Sequence, residues 1–170
     1  MKVALFGATG FVGSYLTDEL ISQNFIPRIL VRPGSDNKLH KKDKCEIVNG
    51  DISDEKALKL TIQGCNTVIY NVGIIREFPK KGQTFEALHF QGAKRCIDIA
   101  KKLNIPRFIL MSANGVKLDG TRYQTTKLMA EEYLKWSKLN YTIFRPSLIF
   151  GDPRGERPEF CTQLKKDMLS

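Results

Sequence analysis

The sequence predicts an α/β fold in which about six strands form a doubly wound parallel sheet. Short apolar, β-branched runs alternate almost without interruption with longer segments of helical periodicity. Parallel strands need crossover connections of this kind, and the connecting helices then cover both faces of the sheet. The chain of 170 residues has the size of one domain with a substantial core.

The first half of the chain supplies four predicted strands and two predicted helices. The second strand ends at a Pro33-Gly34 turn. The second helix has Ser53 or Asp54 as its N-cap and Gly64 as its stop signal. In chain order we expect strand 3–6, helix 11–23, strand 27–32, strand 45–49, helix 55–63 and strand 67–72.

The second half of the chain continues the same alternation. A long helix with an apolar stripe ends at Ile105-Pro106, because proline cannot continue the helical hydrogen bonds. A turn-rich segment around Gly115 and Gly120 separates the next strand from the next helix. In chain order we expect helix 84–103, strand 107–112, helix 123–139, strand 141–145 and an amphipathic helix 158–169.

The cysteine pattern and the absence of long apolar runs predict a cytoplasmic protein. No apolar run approaches the roughly 20 residues that cross a bilayer, and the N-terminus enters a strand without a leader. The cysteines at positions 45, 65, 96 and 161 lie far apart and form no Cys-x-x-Cys pair. We expect reduced, mostly packed thiols, with neither a disulfide framework nor a metal site.

The net charge is interpreted as scattered solvated lysines together with attraction for an anionic cofactor. The chain has 27 basic and 18 acidic residues, which gives a formal net charge of +9. Such a charge also suits nucleic acid or an anionic membrane surface. The basic clusters lie on no recognisable nucleic-acid module, so we predict no nucleic-acid partner.

The opening segment predicts a dinucleotide site. A short strand runs directly into Gly7, Gly10 and Gly13, and a helix begins at Phe11. Glycines without a Cβ let backbone N–H groups approach a pyrophosphate, and the positive end of the helix points to the same place. A tight turn without a ligand is the alternative interpretation. The predicted cofactor contacts in this loop are Gly7, Thr9, Gly10, Phe11, Val12 and Gly13.

The end of the second strand favours NADP(H), with NAD(H) as the other possible cofactor. An acidic residue there would bind the adenosine ribose hydroxyls and repel a 2′-phosphate. This chain has Arg32 instead, which can form a forked, charge-assisted contact with a phosphate, and Ser35 can add a hydroxyl.

The ends of the third and fourth strands supply further predicted cofactor contacts. Asp51 can accept the adenine amino group while Ile52 packs against the ring, although an Asp here can equally start a turn. Val72 and Gly73 end the fourth strand, where small residues let the backbone pass close to the cofactor ribose.

Tyr123 and Lys127 form the predicted catalytic pair. A spacing of four places both side chains on one helical face. An ammonium near the phenol lowers the tyrosine pKa, so that Tyr123 can exchange a proton with a substrate oxygen while hydride moves. A surface pair is the alternative. Ser112 can orient the substrate, or it simply satisfies a strand end, and His89 is expected to be an ordinary helix residue.

These motifs together resemble the short-chain dehydrogenase/reductase superfamily, particularly its extended and atypical branches, which have a Rossmann fold. The matching segments are Gly7-Ala-Thr-Gly10-Phe-Val-Gly13, Gly50-Asp51-Ile52, Tyr123-x-x-x-Lys127 and Arg145-Pro146-Ser147-Leu-Ile-Phe150-Gly151. Within the superfamily, the chain is similar to NmrA-like proteins and to the nucleotide-binding accessory subunit of respiratory complex I.

The resemblance implies roles for several residues. Tyr123 is the implied proton donor or acceptor, Lys127 its tuner and ribose ligand, and Ser112 the substrate orienter. Pro146 belongs to a segment whose backbone flanks the nicotinamide end of the cofactor. Where relatives often carry asparagine, this chain has His89.

The resemblance also implies the domain organisation and the function. Extended relatives continue into a smaller substrate lobe, so we expect an NAD(P)-binding domain over 1–155 and the helical start of an incomplete lobe over 156–170. The implied function is an NADP(H)-dependent oxidoreductase or an epimerase/dehydratase-like enzyme acting on a small molecule. Alternatives are a non-catalytic structural or assembly subunit, peripherally associated with a membrane complex, and a nucleotide-sensing regulator.

Overall fold

The computed structural model describes residues 1–39, 41–154 and 159–169, and this part of the chain contains six strands and five α-helices. The strands are β1 (Lys2–Phe6), β2 (Ile26–Val31), β3 (Glu46–Asn49), β4 (Thr67–Tyr70), β5 (Arg107–Met111) and β6 (Tyr141–Phe144). The helices are α1 (Phe11–Ser22), α2 (Glu55–Ile62), α3 (Gly92–Lys102), α4 (Arg122–Trp136) and α5 (Phe160–Leu169).

The strands form one parallel sheet in the order β3-β2-β1-β4-β5-β6. The strand order reverses between β1 and β4, so the predicted doubly wound parallel sheet is confirmed. In a parallel sheet all carboxyl ends meet at one edge, and a ligand crevice forms where the order reverses. The loops after β1, β4 and β5 therefore converge at this edge.

Helices pack on both faces of the sheet. On one face, Leu16 and Leu20 of α1 cover an apolar cluster that includes Leu5 and Ile29. On the other face, α2, α3 and α4 bury a larger cluster centred on Phe6 and Phe108. The long apolar runs of the central strands match this two-sided burial.

The caps of the helices explain where they begin. Asp54 is the N-cap of α2, where its side chain accepts the backbone N–H groups of Lys56 and Ala57. Thr121 begins α4 with a capping box, in which its side chain and that of Gln124 each bond the other's backbone. This capping box fixes the start of the helix that carries the predicted catalytic pair.

The predicted helix 84–103 contains a wider turn that the sequence did not indicate. Residues Glu86–Gln91 form a π-helical turn that leads directly into α3. The Tyr70 hydroxyl donates a 2.5 Å hydrogen bond to the carbonyl of Leu88 within this turn. Tyr70 lies on β4, so a tertiary contact stabilises the irregularity, and such turns often occur at functional sites.

The C-terminal segment is described in part. Positions 155–158, which include the predicted boundary between the two regions, lie outside the described residues, and α5 begins at Phe160. Glu159 accepts the backbone N–H groups of Cys161 and Thr162 at the start of this helix.

The structure also describes the cysteines, the potential metal ligands and the apolarity of the helices. All four cysteines are free thiols, of which Cys65 and Cys96 are buried. Across residues 1–39, 41–154 and 159–169, we find no group of three metal-ligating side chains. No helix in the same residues has the length and apolarity needed to span a membrane.

Candidate functional site

A cavity of about 1250 Å³ opens at the carboxyl edge of the sheet. The residues predicted for cofactor and catalysis line this one cavity, with the exception of Gly13. They are Gly7, Thr9, Gly10, Phe11, Val12, Arg32, Asp51, Ile52, Val72, Gly73, Ser112, Tyr123, Lys127 and Pro146.

The structure gives a different explanation for each glycine of the Gly7–Gly13 motif. Gly7 has a φ of +88°, and a Cβ there would lie 2.6 Å from the carbonyl oxygen of Asn71. A Cβ on Gly13 would clash with the Gly7 carbonyl oxygen, so glycine at position 13 lets α1 pack directly against the loop after β1. A Cβ on Gly10 would meet only the Gly7 oxygen, at 3.4 Å. Glycine at position 10 is therefore not demanded by internal packing, and it leaves the cavity open.

The start of α1 suits an anionic group. Gly10 is its N-cap, with no side-chain cap, and the first turn contains no acidic residue. The first backbone N–H groups of a helix have no intrahelical partner and carry partial positive charge. These groups line the cavity at Phe11 and Val12, so the loop fits the pyrophosphate of a dinucleotide.

The loop after β2 presents basic and hydroxyl side chains to the cavity. Arg32, Ser35 and Lys38 all line it, whereas Asp36, the carboxylate between them, is not among the lining residues of the described chain. This end of the cavity therefore has a positive character that suits a phosphate.

Asp51 has the turn-forming role that was the alternative interpretation of this residue. Its Oδ1 accepts the backbone N–H of Ser53 at 3.0 Å and the Ser53 hydroxyl at 2.8 Å. Asp51 also lines the cavity, and the neighbouring Ile52 carbonyl accepts a hydrogen bond from Arg95 Nε at 3.1 Å. Arg95, which the sequence did not single out, thus fixes the wall beside Asp51 and lines the cavity as well.

Lys127 is held inside the site. Its side chain is buried, and Nζ donates a 2.9 Å hydrogen bond to the carbonyl of Met111 at the end of β5. A Cβ on Gly73 would lie 3.3 Å from Nζ, so the backbone after β4 passes directly beside the ammonium. Burial lowers the pKa of Lys127 to about 8, against a smaller opposing effect of Glu131.

Tyr123 lies between two rings that orient it. Its ring makes edge contacts with Phe85 at 5.6 Å and with His89 at 5.1 Å between centroids. Burial raises the pKa of Tyr123, which is the opposite direction to the effect expected from a neighbouring ammonium. Burial is the cause of this raised pKa, and Lys127 Nζ donates its hydrogen bond to the Met111 carbonyl.

His89 connects the loop after β4 to the helix of the catalytic pair. Its Nε2 accepts the backbone N–H of Ile74 at 3.1 Å, and Nδ1 lies 3.2 Å from Thr126 Oγ1. Because Nε2 is an acceptor, Nδ1 carries the proton and donates to Thr126. Burial, together with the Lys127 charge, lowers the pKa of His89 to about 3, so the ring is neutral. Sequence reasoning predicted only an ordinary helix residue here.

Ser112 directly follows β5 and lies beside other buried polar side chains. Its hydroxyl lines the cavity and has no partner of normal hydrogen-bond geometry among the described residues. The hydroxyl is close enough to the buried carboxylate of Glu131 to help lower its pKa. Burial raises the pKa of Glu131, but Arg145 and Ser112 outweigh this effect.

The segment after β6 is fastened over α1. The Tyr15 hydroxyl donates to the carbonyl of Asp152 at 3.0 Å. Arg154 pairs with Asp18, and its guanidinium lies 3.6 Å from the centroid of the Tyr15 ring. These contacts hold the stretch from Pro146 onwards against the mouth of the cavity.

Comparison with known proteins connects this geometry to a family. A family model described as NAD(P)H-binding matches residues 7–167. A ceramide reductase of Caulobacter vibrioides is 29% identical over 150 residues, covering 88% of this chain and 46% of that protein. The mitochondrial 40 kDa subunit of NADH-ubiquinone oxidoreductase from Neurospora crassa is 30% identical over 153 residues, covering 86% and 40%.

A solved structure supports the same fold. The Bordetella bronchiseptica enzyme WbmH, crystallised with NAD+, superposes with a TM-score of 0.78 at 20% identity, covering 98% of this chain and 62% of that one. The chain thus spans less than half the length of the two relatives named above.

Proposed function

Because the chain belongs to the NAD(P)H-binding family, on the atypical extended branch of the short-chain dehydrogenase/reductase superfamily, we propose that it is an NADP(H)-dependent oxidoreductase or an epimerase/dehydratase-like enzyme. The observation that carries the proposal is the convergence of Tyr123, Lys127 and Ser112 on the same cavity as the glycine-rich loop. A dinucleotide cradle alone would need neither the Tyr123 phenol nor the Ser112 hydroxyl.

The chemistry follows from the protonation states of these groups. When bound, the nicotinamide supplies or accepts the hydride. The raised pKa of Tyr123 keeps its phenol protonated at neutral pH, so it can donate to a developing substrate alkoxide. Lys127 Nζ, beside Gly73, is placed to bond ribose hydroxyls and to stabilise the phenolate that remains. Solvent then returns the proton to Tyr123.

The preference for NADP(H) is supported by the loop after β2. Arg32 and Lys38 bring positive charge to the part of the cavity beyond β2, and Ser35 adds a hydroxyl. A 2′-phosphate would find charge-assisted partners here, whereas the ribose hydroxyls of NAD(H) would find no carboxylate from the same loop among the lining residues.

We also propose that the chain divides into an NAD(P)-binding domain over 1–155 and the beginning of a substrate lobe over 156–170. A cytoplasmic location is supported by four free thiols, which are typical of reducing compartments.

A second function is favoured by one observation at the catalytic pair. Because burial raises the pKa of Tyr123 and lowers that of Lys127, the unliganded site lacks the activated phenol of an efficient proton-transfer enzyme. The alternative is a nucleotide-binding structural subunit; the Neurospora relative is, by its name, a subunit of a larger enzyme. In that case the bound dinucleotide stabilises the fold, by about 2.7 kcal/mol at 100 times its dissociation constant.

One experiment separates the two functions. The protein is titrated with NADPH and NADH by thermal shift, and NADPH oxidation is then measured with a panel of carbonyl compounds. A net oxidoreductase predicts binding and NADPH oxidation, with oxidation lost in Tyr123→Phe while NADPH binding is retained. An epimerase or dehydratase is redox-neutral overall, so it is tested by conversion of a sugar nucleotide by the nucleotide-saturated protein. Binding without turnover in either assay supports the structural subunit. Failure to bind either nucleotide contradicts both.

A further inference from the structure

The cavity extends well beyond the glycine-rich loop. Its volume of about 1250 Å³ is lined by Gly7, Gly10 and Arg32 and also by the loops after β4 and β6. A dinucleotide held by Gly7, Gly10 and Arg32 leaves the loops after β4 and β6 to a second ligand. On the proposed function, that ligand is the substrate, and its walls are the loops that flank Ser112.

Two segments form these walls. β4 and β6 lie on either side of β5, so the loops that follow them flank the carboxyl end of β5. The wall residues with apolar side chains remain partly exposed. They are Ile75 (57% exposed), Phe78 (45%), Leu148 (52%), Ile149 (38%) and Phe160 (42%). A cavity wall with this much uncovered apolar surface calls for an apolar occupant.

The same wall carries two cations. Phe78 and Gln83 exchange backbone hydrogen bonds of 2.7 and 3.2 Å, which close a small hairpin around the turn that contains Lys81. The Arg76 guanidinium lies 6.0 Å from the centroid of the Phe78 ring. Arg76 and Lys81 both line the cavity, so positive charge and apolar surface are presented together.

The carboxylates near this wall are engaged elsewhere. Glu77 accepts the backbone N–H of Phe85 at 2.8 Å. Glu159 accepts the N–H groups of Cys161 and Thr162, and so serves α5. Neither carboxylate pairs with Arg76 or Lys81 in the described residues. The charge of the wall is therefore open to a ligand anion.

We propose that the substrate is an apolar carbonyl compound that carries an anionic group, such as a carboxylate or a phosphate. The apolar body lies against Phe78, Leu148 and Ile149, and the anion contacts Arg76 and Lys81. In the reductive direction the carbonyl carbon accepts hydride, its oxygen accepts the Tyr123 proton, and the substrate becomes an alcohol as the nucleotide is oxidised. A sugar nucleotide would place its hydroxyl-rich ring against the apolar wall.

Binding of three probes to the NADP+-saturated protein tests the proposal. Decanoate represents the apolar anion, decanamide is its neutral counterpart, and UDP-glucose represents sugar nucleotides. Isothermal titration calorimetry is expected to show that decanoate binds at least tenfold tighter than either other probe. The double variant R76Q/K81Q is expected to lower decanoate affinity by about tenfold, and Phe78→Ser to weaken decanoate and decanamide alike.

Lys80→Gln is the matched control for the single variant Lys81→Gln, because Lys80 lies in the same turn but does not line the cavity. Each variant removes one positive charge, and only Lys81→Gln is expected to lower decanoate affinity. A loss in K80Q equal to that in K81Q, tighter binding of UDP-glucose, or no binding of any probe would each overturn the proposal. NADPH affinity, measured in parallel, reports separately on the proposed function.

Discussion

Arg145 forms a forked ion pair with Glu131 at the carboxyl edge of the sheet. Arg145 Nε lies 2.9 and 3.1 Å from the two carboxylate oxygens, and Nη2 completes the fork. The exposure of the two partners is unequal: the Glu131 side chain is fully buried, whereas that of Arg145 is 48% exposed. The pair joins α4 to the segment that begins at Pro146, and so connects the catalytic helix to one wall of the cavity.

The unequal burial predicts unequal costs for removing each partner. Arg145→Met leaves a buried carboxylate without its cation and is expected to lower the free energy of unfolding by about 3–5 kcal/mol. Glu131→Gln leaves a guanidinium that water can reach, so we expect a loss of only about 1 kcal/mol. Urea unfolding at pH 7 measures both. The double variant R145M/E131Q is expected to be more stable than R145M, and equal losses in the single variants would contradict this account.

The glycine-rich loop predicts a separation between stability and binding. Gly10 has φ −81° and ψ 175°, which alanine adopts freely, so Gly10→Ala is expected to keep its stability within about 0.5 kcal/mol. Its methyl group stands at the mouth of the cradle, and we expect NADPH affinity to fall at least tenfold. Gly13→Ala places a methyl group against the Gly7 carbonyl and is expected to cost about 1–3 kcal/mol of stability. Normal NADPH affinity in the G10A protein would contradict binding of the pyrophosphate at this loop.

Arg32 predicts the choice between the two nucleotides. Arg32→Gln removes a charge-assisted contact with a 2′-phosphate, worth about 1.5–3 kcal/mol, so NADPH affinity is expected to fall by roughly 10- to 100-fold. NADH affinity, which has no such contact to lose, is expected to stay within about twofold. Lys42→Gln, in the following turn and outside the lining residues, is the control for net charge. Equal losses for both nucleotides would contradict an NADP(H)-specific role.

The order of the regular elements follows from local sequence, because apolar runs, caps and prolines act within a few residues. Some predicted ends were wrong: α4 ends at Trp136 and β4 at Tyr70, where the sequence predicted 139 and 72. The bounds of β3 and α2 differ from those predicted by one residue at one end. The π-helical turn at Glu86–Gln91 was not predictable in this way. Its stabilising contact joins Tyr70 to Leu88 across 18 positions, whereas the local pattern of Thr84 to Leu103 is simply helical.

The candidate site also contains residues that local sequence predicts and residues that it does not. The glycines and the strand-end residues are recognisable from their neighbours in the sequence, and the structure brings them to one cavity. The sequence did not indicate the roles of His89, Glu131 and Arg95, because each side chain hydrogen-bonds to a residue that is distant in the sequence. The predicted lowering of the Tyr123 pKa was wrong for the same reason. The spacing places Lys127 on the same helical face as Tyr123, but burial has the largest effect on the pKa of both residues.

The buried ammonium predicts a pH dependence of stability. The pKa of Lys127 is about 8 in the folded protein and 10.5 in an exposed lysine, so the unfolded chain binds more protons between these values. Its destabilising effect is full below pH 8 and is relieved as the pH rises towards 10.5. Relative to Lys127→Met, the free energy of unfolding of the wild type is expected to rise by about 3 kcal/mol over this range. Parallel pH profiles of the two proteins, measured in urea, would contradict a buried ammonium.

His89 predicts that the catalytic helix and the loop after β4 are coupled through one neutral imidazole. His89→Phe keeps the ring contacts with Phe85 and Tyr123 but removes the acceptor of the Ile74 N–H. We expect NADPH affinity to fall about tenfold, because the backbone beside Gly73 is no longer held against Lys127. His89→Asn can accept the Ile74 N–H again and is expected to recover part of this loss, which a simple packing defect would not allow.

The protonation state of His89 gives this prediction an independent readout. Nitrogen NMR of the wild-type imidazole is expected to show a neutral ring with the proton on Nδ1, unchanged from pH 5 to pH 9, because burial and Lys127 both oppose protonation. Titration of His89 near its ordinary pKa of about 6.5 would mean that water reaches the ring. The Ile74 and Thr126 hydrogen bonds would then be too weak to join the two halves of the site.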